Sequence, residues 1–151
     1  MSERIQFELP NDLWEAVEPE SGQVFSVVRL GEYPYFRPNI GADLAELQPD
    51  APLEGAIDSV AKRLSLLDES AHVVRRSVDE ATGTALQQVD LDVELVPGVR
   101  RSLSQAQTFL VLEDENSDRR MLLCVMLTAE SSVLADYLDD YQSVIENVRA
   151  V

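Results

Sequence analysis

Met121-Leu122-Leu123-Cys124-Val125-Met126-Leu127 is apolar at every position. An unbroken apolar run of strand length fits a central strand covered on both faces. Such a strand needs paired neighbours along its edges and cover above and below, and the flanking sequence supplies both. Residues 102–112 read as a strand that makes a hairpin with 121–128 around the polar segment 113–118. Residues 71–79 and 85–95 read as a second hairpin closed on Glu80-Ala81-Thr82-Gly83. In its second strand Val89, Leu91, Val93 and Leu95 face one way, while Gln88, Asp90, Asp92 and Glu94 face water. Pro97-Gly98 is the turn that follows.

Nearer the start, Ile5-Gln6-Phe7-Glu8-Leu9 alternates as a half-buried strand and Pro10-Asn11-Asp12 ends it, with Trp14 beyond as a packed anchor. Residues 24–30 are β-branched and aromatic enough for another strand, and 31–40, with Pro34 and Pro38, read as loop or edge structure. Cover comes from two amphipathic helices. Leu53, Ile57, Val60, Ala61, Leu64 and Leu67 recur at helical spacing through 53–70, with Pro52 at its first turn. Val133, Leu134, Tyr137, Leu138, Tyr141, Ile145 and Val148 trace a second stripe through 131–149. The sum is an α+β fold, a mainly antiparallel sheet of about six to seven strands with helices packed on both faces, an α/β/α sandwich. With no repeat, low-complexity tract or linker, residues 1–151 read as a single domain.

The chain is 45% hydrophobic and 26% charged, the balance of a globular protein, and its 28 acidic residues against 12 basic ones give a net charge of −16. That surface repels phosphate backbones and anionic lipid headgroups, so neither nucleic acid nor a membrane is an expected partner. Solubility is the plain reading of the acidity, and a basic partner the sharper one. The single cysteine, Cys124, allows no intrachain disulfide. The start has no apolar signal core, and no run of about 18 apolar residues follows, so the expectation is a cytoplasmic protein.

Chemistry is sparse. The only histidine is His72. In the tight hairpin register Asp79 faces Thr84 and His72 faces Leu91 on the more apolar side, which makes it a packed or hydrogen-bonded strand residue; a bulge would turn it to the surface, and catalysis is the weakest reading. The same register sets Arg75 opposite Gln88 and diagonal to Asp90, within reach of a cross-strand pair. Cys124 reads as a small core residue with a disfavoured thiolate. Asp114, Asn116 and Asp118 copy the first three ligand positions of a calcium loop, but Arg119 replaces the glycine and Val125 the bidentate glutamate, so a solvated turn is expected. The doublets Arg75-Arg76, Arg100-Arg101 and Arg119-Arg120 read as neutralising nearby carboxylates. No glycine-rich phosphate loop is present, and no carboxylate dyad can be named from spacing. Hence no catalytic, cofactor-binding or metal residue and no cofactor are expected. Tyr33, Tyr35 and Phe36, with Arg37 beside them, either fold back on the core or anchor a partner; they are the one candidate partner-binding group.

Phe7-Glu8-Leu9-Pro10 followed by Trp14, Phe36-Arg37-Pro38-Asn39-Ile40 before the long helix, Gln107-Thr108-Phe109-Leu110 in a late strand, and Val144-Ile145-Glu146-Asn147-Val148 in the last helix resemble the PsbP-like superfamily over nearly the whole chain. The resemblance implies an α/β/α sandwich without shared catalytic residues, whose members are mostly binding or accessory proteins, some bacterial ones being secretion-linked chaperones or exported lipoproteins. The functional expectation is a non-enzymatic cytoplasmic accessory domain that binds a protein, with homo-oligomerisation left open. A small-molecule binding module, its ligand between sheet and helix, is the alternative. A secretion-linked chaperone or a carboxylate-based enzyme ranks below it.

Overall fold

The apolar run 121–127 lies inside the strand Arg120–Glu130, the fourth of seven in one antiparallel sheet. The structure, a computed structural model, describes residues 5–20, 22–113 and 119–150. In chain order it has β1 (Ile5–Gln6), β2 (Trp14–Val17), β3 (Gln23–Arg29), β4 (Asn39–Leu47), α1 (Leu53–Leu67), β5 (His72–Asp79), β6 (Thr84–Val96), β7 (Val99–Glu113), β8 (Arg120–Glu130), a 3-10 turn (Leu134–Tyr137), α2 (Leu138–Glu146) and β9 (Arg149–Ala150). The large sheet runs β2-β3-β4-β8-β7-β6-β5, and β1 pairs with β9 apart from it. The class is therefore α+β with a seven-stranded antiparallel sheet and two helices.

Alternate side chains of a strand point to opposite faces, so β8 feeds two clusters. Leu123, Val125, Leu127 and Ala129 join Trp14, Phe25, Val27, Ile40 and, from α2, Tyr141 and Val144. Leu122 and Cys124 join Leu47, Ala85, Phe109 and, from α1, Leu53 and Ile57. The Tyr141 hydroxyl donates to the Val125 carbonyl at 2.6 Å and lies 2.8 Å from the Thr108 hydroxyl, which ties α2 to the central strands. At the start of α1, Pro52 offers no side-chain cap; instead the Glu80 carboxylate, from the β5–β6 turn, accepts from the Leu53 and Glu54 amides at 3.2 and 3.1 Å. An anion there meets both the orphan amides and the positive end of the helix dipole.

Several boundaries differ from the sequence reading. Residues 39 and 40, expected in a loop, begin β4, a nine-residue strand between β3 and β8. Its Gly41 lets the Gln23 side chain lie across it, since a Cβ there would stand 2.7 Å from Gln23 Nε2. Trp14, expected as an isolated anchor, opens the edge strand β2. The first helix ends at Leu67 and not at 70. The last expected helix is split into a 3-10 turn and α2, and its tail becomes β9. The β5–β6 hairpin closes as read, Asp79 facing Thr84, on Gly83 at a φ of 70°. Farther out, an irregularity between Val73 and Arg75 sets His72 opposite Asp90 instead of Leu91, and His72 is exposed. The packed position opposite Leu91 is corrected to the surface position that a bulge was expected to give: an extra residue in one strand moves everything beyond it to the other register. Beyond Asp90 on β6 and Leu103 on β7 the two strands pair only with each other and run out as an arm to the turn at Gly98, whose φ is 82°.

Candidate functional site

The four residues singled out in the loop after β3 are divided between core and surface. Tyr33 and Phe36 are half-buried, Tyr35 and Arg37 exposed. The Arg37 guanidinium sits 5.3 Å from the Tyr33 ring centre and donates to the Arg29 carbonyl at 2.6 Å. Arg101, from the far end of the sheet sequence, sits 4.1 Å from the Tyr35 ring centre and pairs with Glu130 at 3.6 Å. The Tyr137 phenol is pushed up to about 12, first by burial and then by the neighbouring Tyr33. Cation–aromatic contacts of this kind are each about 0.5–1 kcal/mol at exposed sites, enough to order a loop that contains two prolines.

Beneath the loop lies a hub that sequence reasoning missed. The Asp140 carboxylate accepts from Trp14 Nε1 at 2.9 Å, Arg29 Nη1 at 3.1 Å and Asn11 Nδ2 at 3.1 Å. Arg29 also lies 5.7 and 5.5 Å from the ring centres of Trp14 and Tyr137. One carboxylate thus fastens α2 to β2, β3 and the segment before them. Asp140 stands on the polar side of its helical stripe, where its sequence context is that of any solvated aspartate.

A second feature lies between α1 and the sheet, a cavity of about 290 Å³ lined by Val60, Leu64 and Leu67 of the helix and by Ala45, Leu122, Cys124 and Met126 of the strands, with Asp43, Arg63 and Gln105 as its polar members. Burial pushes the Asp43 carboxyl up, and the nearby Arg63 guanidinium opposes that. The Cys124 thiol is pushed up by burial and by Asp43, with Arg63 again opposing. Cys124 is thus the buried strand residue expected, but on the wall of a cavity. Asp43 fell in a stretch for which no element was expected; the apolar alternation Ile40, Ala42, Leu44 is the signal that could have found its strand.

The remaining candidates take structural parts. His72 Nδ1–H donates to the Ser70 carbonyl at 3.0 Å. Arg75 faces Gln88 as expected, but Asp90 accepts instead from Gln88 and from Ser104, at 3.0 and 2.7 Å. Of the arginine doublets, Arg76 pairs with Asp58, Arg100 with Asp92, Arg101 with Glu130 and Arg119 with Glu46. Arg120 donates to the Pro49 carbonyl at 2.7 Å and so clips the segment before α1 to β8. The calcium-like positions Asp114, Asn116 and Asp118 lie outside the described residues. Among the described residues no group of three or more His, Cys, Asp and Glu converges as a metal site, and no helix is long and apolar enough to cross a membrane.

No family model and no curated protein matches this sequence. Solved structures do. LpqN of Mycobacterium tuberculosis, described as involved in cell envelope biogenesis, superposes with a TM-score of 0.66 at 16% identity, over 99% of this chain and 84% of that one. The cyanobacterial PsbP of Synechocystis superposes with a TM-score of 0.57 at 11% identity, over 98% and 93%. The fold is PsbP-like. The Saccharomyces cerevisiae Ran-binding protein Mog1p shares it, with a TM-score of 0.52 at 12% identity over 99% and 95%. At these identities the likeness is one of PsbP-like fold alone, and function is argued from residues.

Proposed function

We propose that this chain is a non-enzymatic accessory domain that binds another protein through the loop bearing Tyr33, Tyr35, Phe36 and Arg37. The observation that carries the reading is the preordering of that loop by Arg37, Arg101 and Tyr137 while Tyr35 stays 39% exposed. Leu30, where the loop begins, and Leu13, whose carbonyl accepts the Leu30 amide, are exposed as well, at 42% and 47%. Aromatic and arginine side chains fixed in advance lose little freedom on association, which suits them as anchors. The Ran-binding description of Mog1p supports a protein partner without specifying one here. The charge of −16 favours a basic surface on that partner.

In this reading residues 1–151 form one domain, and the two clusters fed by β8 are the two covered faces of an α/β/α sandwich. The proposed compartment is the cytoplasm, in keeping with one free buried cysteine; the cell-envelope description of LpqN supports the competing compartment, and fractionation of cells carrying the natural gene decides between them. The binding proposal is tested by placing a photocrosslinking amino acid at Tyr35 and, as a control, at exposed His72. A discrete adduct from position 35 only is expected; equal adducts from both positions, or none, refute it. A second reading, a small-molecule binding module, is favoured by the cavity under α1.

A further inference from the structure

The second half of α1 stands off the sheet. Leu53 and Ile57 in its first half are fully buried, whereas Leu66 and Leu67 near its end are 86% and 85% exposed. The first half meets Phe109, Leu47 and Ala85, while Val60, Leu64 and Leu67 of the second half stand over a cavity bounded by Asp43, Cys124 and Met126.

Three residues of the cavity wall are polar, and they differ in what remains to them. Gln105 is fully engaged, since it donates to Thr128 Oγ1 at 3.0 Å and accepts from Gln107 Nε2 at 2.6 Å. Asp43 and Arg63, both exposed to solvent at the mouth of the cavity, make no hydrogen bond or close ion pair among the described residues, and each is the other's electrostatic neighbour. An apolar cavity with one carboxylate and one guanidinium at its solvent-open mouth is matched by a head group that both donates and accepts: its donor meets Asp43, its acceptor Arg63. A charged head gains one of these groups and opposes the other, with desolvation added. The cavity, at about 290 Å³, is at the small end of the roughly 300–1,000 Å³ typical of ligand pockets, which fits a medium chain and not a long lipid.

We propose that this cavity binds a small neutral amphiphile, such as a medium-chain primary amide or alcohol, with its tail against Leu64 and Met126 and its head between Asp43 and Arg63. This rests on the second reading above and is independent of the protein-binding loop. Cys124 in the wall is a built-in reporter, since a bound tail stands between its thiol and solvent.

Octanamide, octanoate and octylamine are to be titrated into the isotopically labelled full chain, with backbone and methyl resonances followed by NMR and Cys124 alkylation by a small maleimide measured in parallel. Octanamide should shift the resonances of Leu64 and Met126, slow alkylation several-fold, and bind at least about tenfold more tightly than either charged analogue, a difference of roughly 1.4 kcal/mol. Leu64→Trp, which fills the cavity, should abolish the shifts with the far-UV spectrum unchanged; should that variant fail to fold, Asp43→Asn is the second one, and it should bring octanoate up to the affinity of octanamide. No shift at the cavity with any of the three compounds overturns the proposal, as does equal or tighter binding of a charged one. Shifts confined to the 33–37 loop overturn it too, while leaving the protein-binding reading standing.

Discussion

Replacing Asp140 by Ala removes one carboxylate and strands three donors. Trp14 is the costliest, because the residue is only 2% exposed and its indole N–H has Asp140 as its partner. Leaving a buried donor unpaired costs about 1–3 kcal/mol. The Arg29 pair is partly exposed, 21% and 24% for the two side chains. It is therefore discounted to about 0.5–1 kcal/mol. Asn11 is exposed, and its bond is exchanged for one to water at little cost. The total is about 1.5–4 kcal/mol, which for a chain of this size lowers Tm by roughly 10 °C. Asp140→Asn keeps an acceptor for Trp14 and should lose only about 1 kcal/mol, the Arg29 share. Trp14 is the only tryptophan, so its emission reports on the hub directly. Urea unfolding followed by that emission measures the cost, and the native spectrum of Asp140→Ala should shift to the red as water replaces the carboxylate. A cycle with Arg29→Met should return a coupling of about 0.5–1 kcal/mol. A cost below about 0.5 kcal/mol for Asp140→Ala, with an unchanged native spectrum, refutes the claim that this carboxylate fastens the last helix.

Tyr141→Phe deletes the one hydroxyl shared by Val125 and Thr108; it should cost about 1–2 kcal/mol by urea unfolding, with no change in secondary structure by circular dichroism. His72→Asn, at an exposed edge position beyond the bulge, should change stability by less than about 0.5 kcal/mol, and a larger loss would mean that the histidine is packed. Cys124, Tyr137 and Tyr141 all hold their protons more tightly folded than unfolded. The unfolded chain releases those protons first, so the urea midpoint should be flat near pH 7 and fall above roughly pH 8.5–10, where free thiols and phenols ionise. Asp43 carries the same sign at the acid end: its raised carboxyl favours the native state in acid and loses that contribution as pH rises through the carboxylate range, so Asp43→Asn should raise the urea midpoint at pH 7 and leave it little changed in acid.

The central strand is legible because an all-apolar run has few other places to go, and the two helices are legible because their stripes repeat over several turns. β4 is not, although it lies next to β8. Its outward-numbered set, Gly41, Asp43 and Ala45, is small or charged, and the loop before it contains two prolines, so local composition argues against a strand that tertiary pairing imposes. His72 shows the limit of register reasoning. Closing the hairpin on Gly83 fixes Asp79 against Thr84, but one extra residue at 74 redirects everything beyond it, and nothing in Val73-Val74-Arg75 announces the bulge. Contacts of long sequence separation are the least legible. Asp140 meets Trp14 across 126 residues, and Arg101 meets Tyr35 by way of a strand on another part of the sheet.

The same contrast explains why the two clusters differ in what they leave open. α2 is short, and Tyr141, Val144 and Asp140 hold it to the sheet at successive positions, two of them by polar contacts to backbone or indole. α1 is longer; its polar attachments are Glu80 at the first turn, where Leu53 and Ile57 are also buried, the Asp58–Arg76 pair one turn on, and, just past its end, Ser70 bonded to the Asp92 backbone of β6. From Val60 onward it stands over Ala45, Cys124, Met126 and Asp43 instead of Phe109, and the cavity lies between them. With no side chain of the size of Phe109 beneath its second half, helix and sheet leave a wedge between them. Filling that wedge with one large side chain should stabilise the fold and remove the binding site together, whereas the loop at Tyr35 should be indifferent to it; a stabilised variant that still protects Cys124 in the presence of octanamide would separate cavity from ligand and defeat the argument.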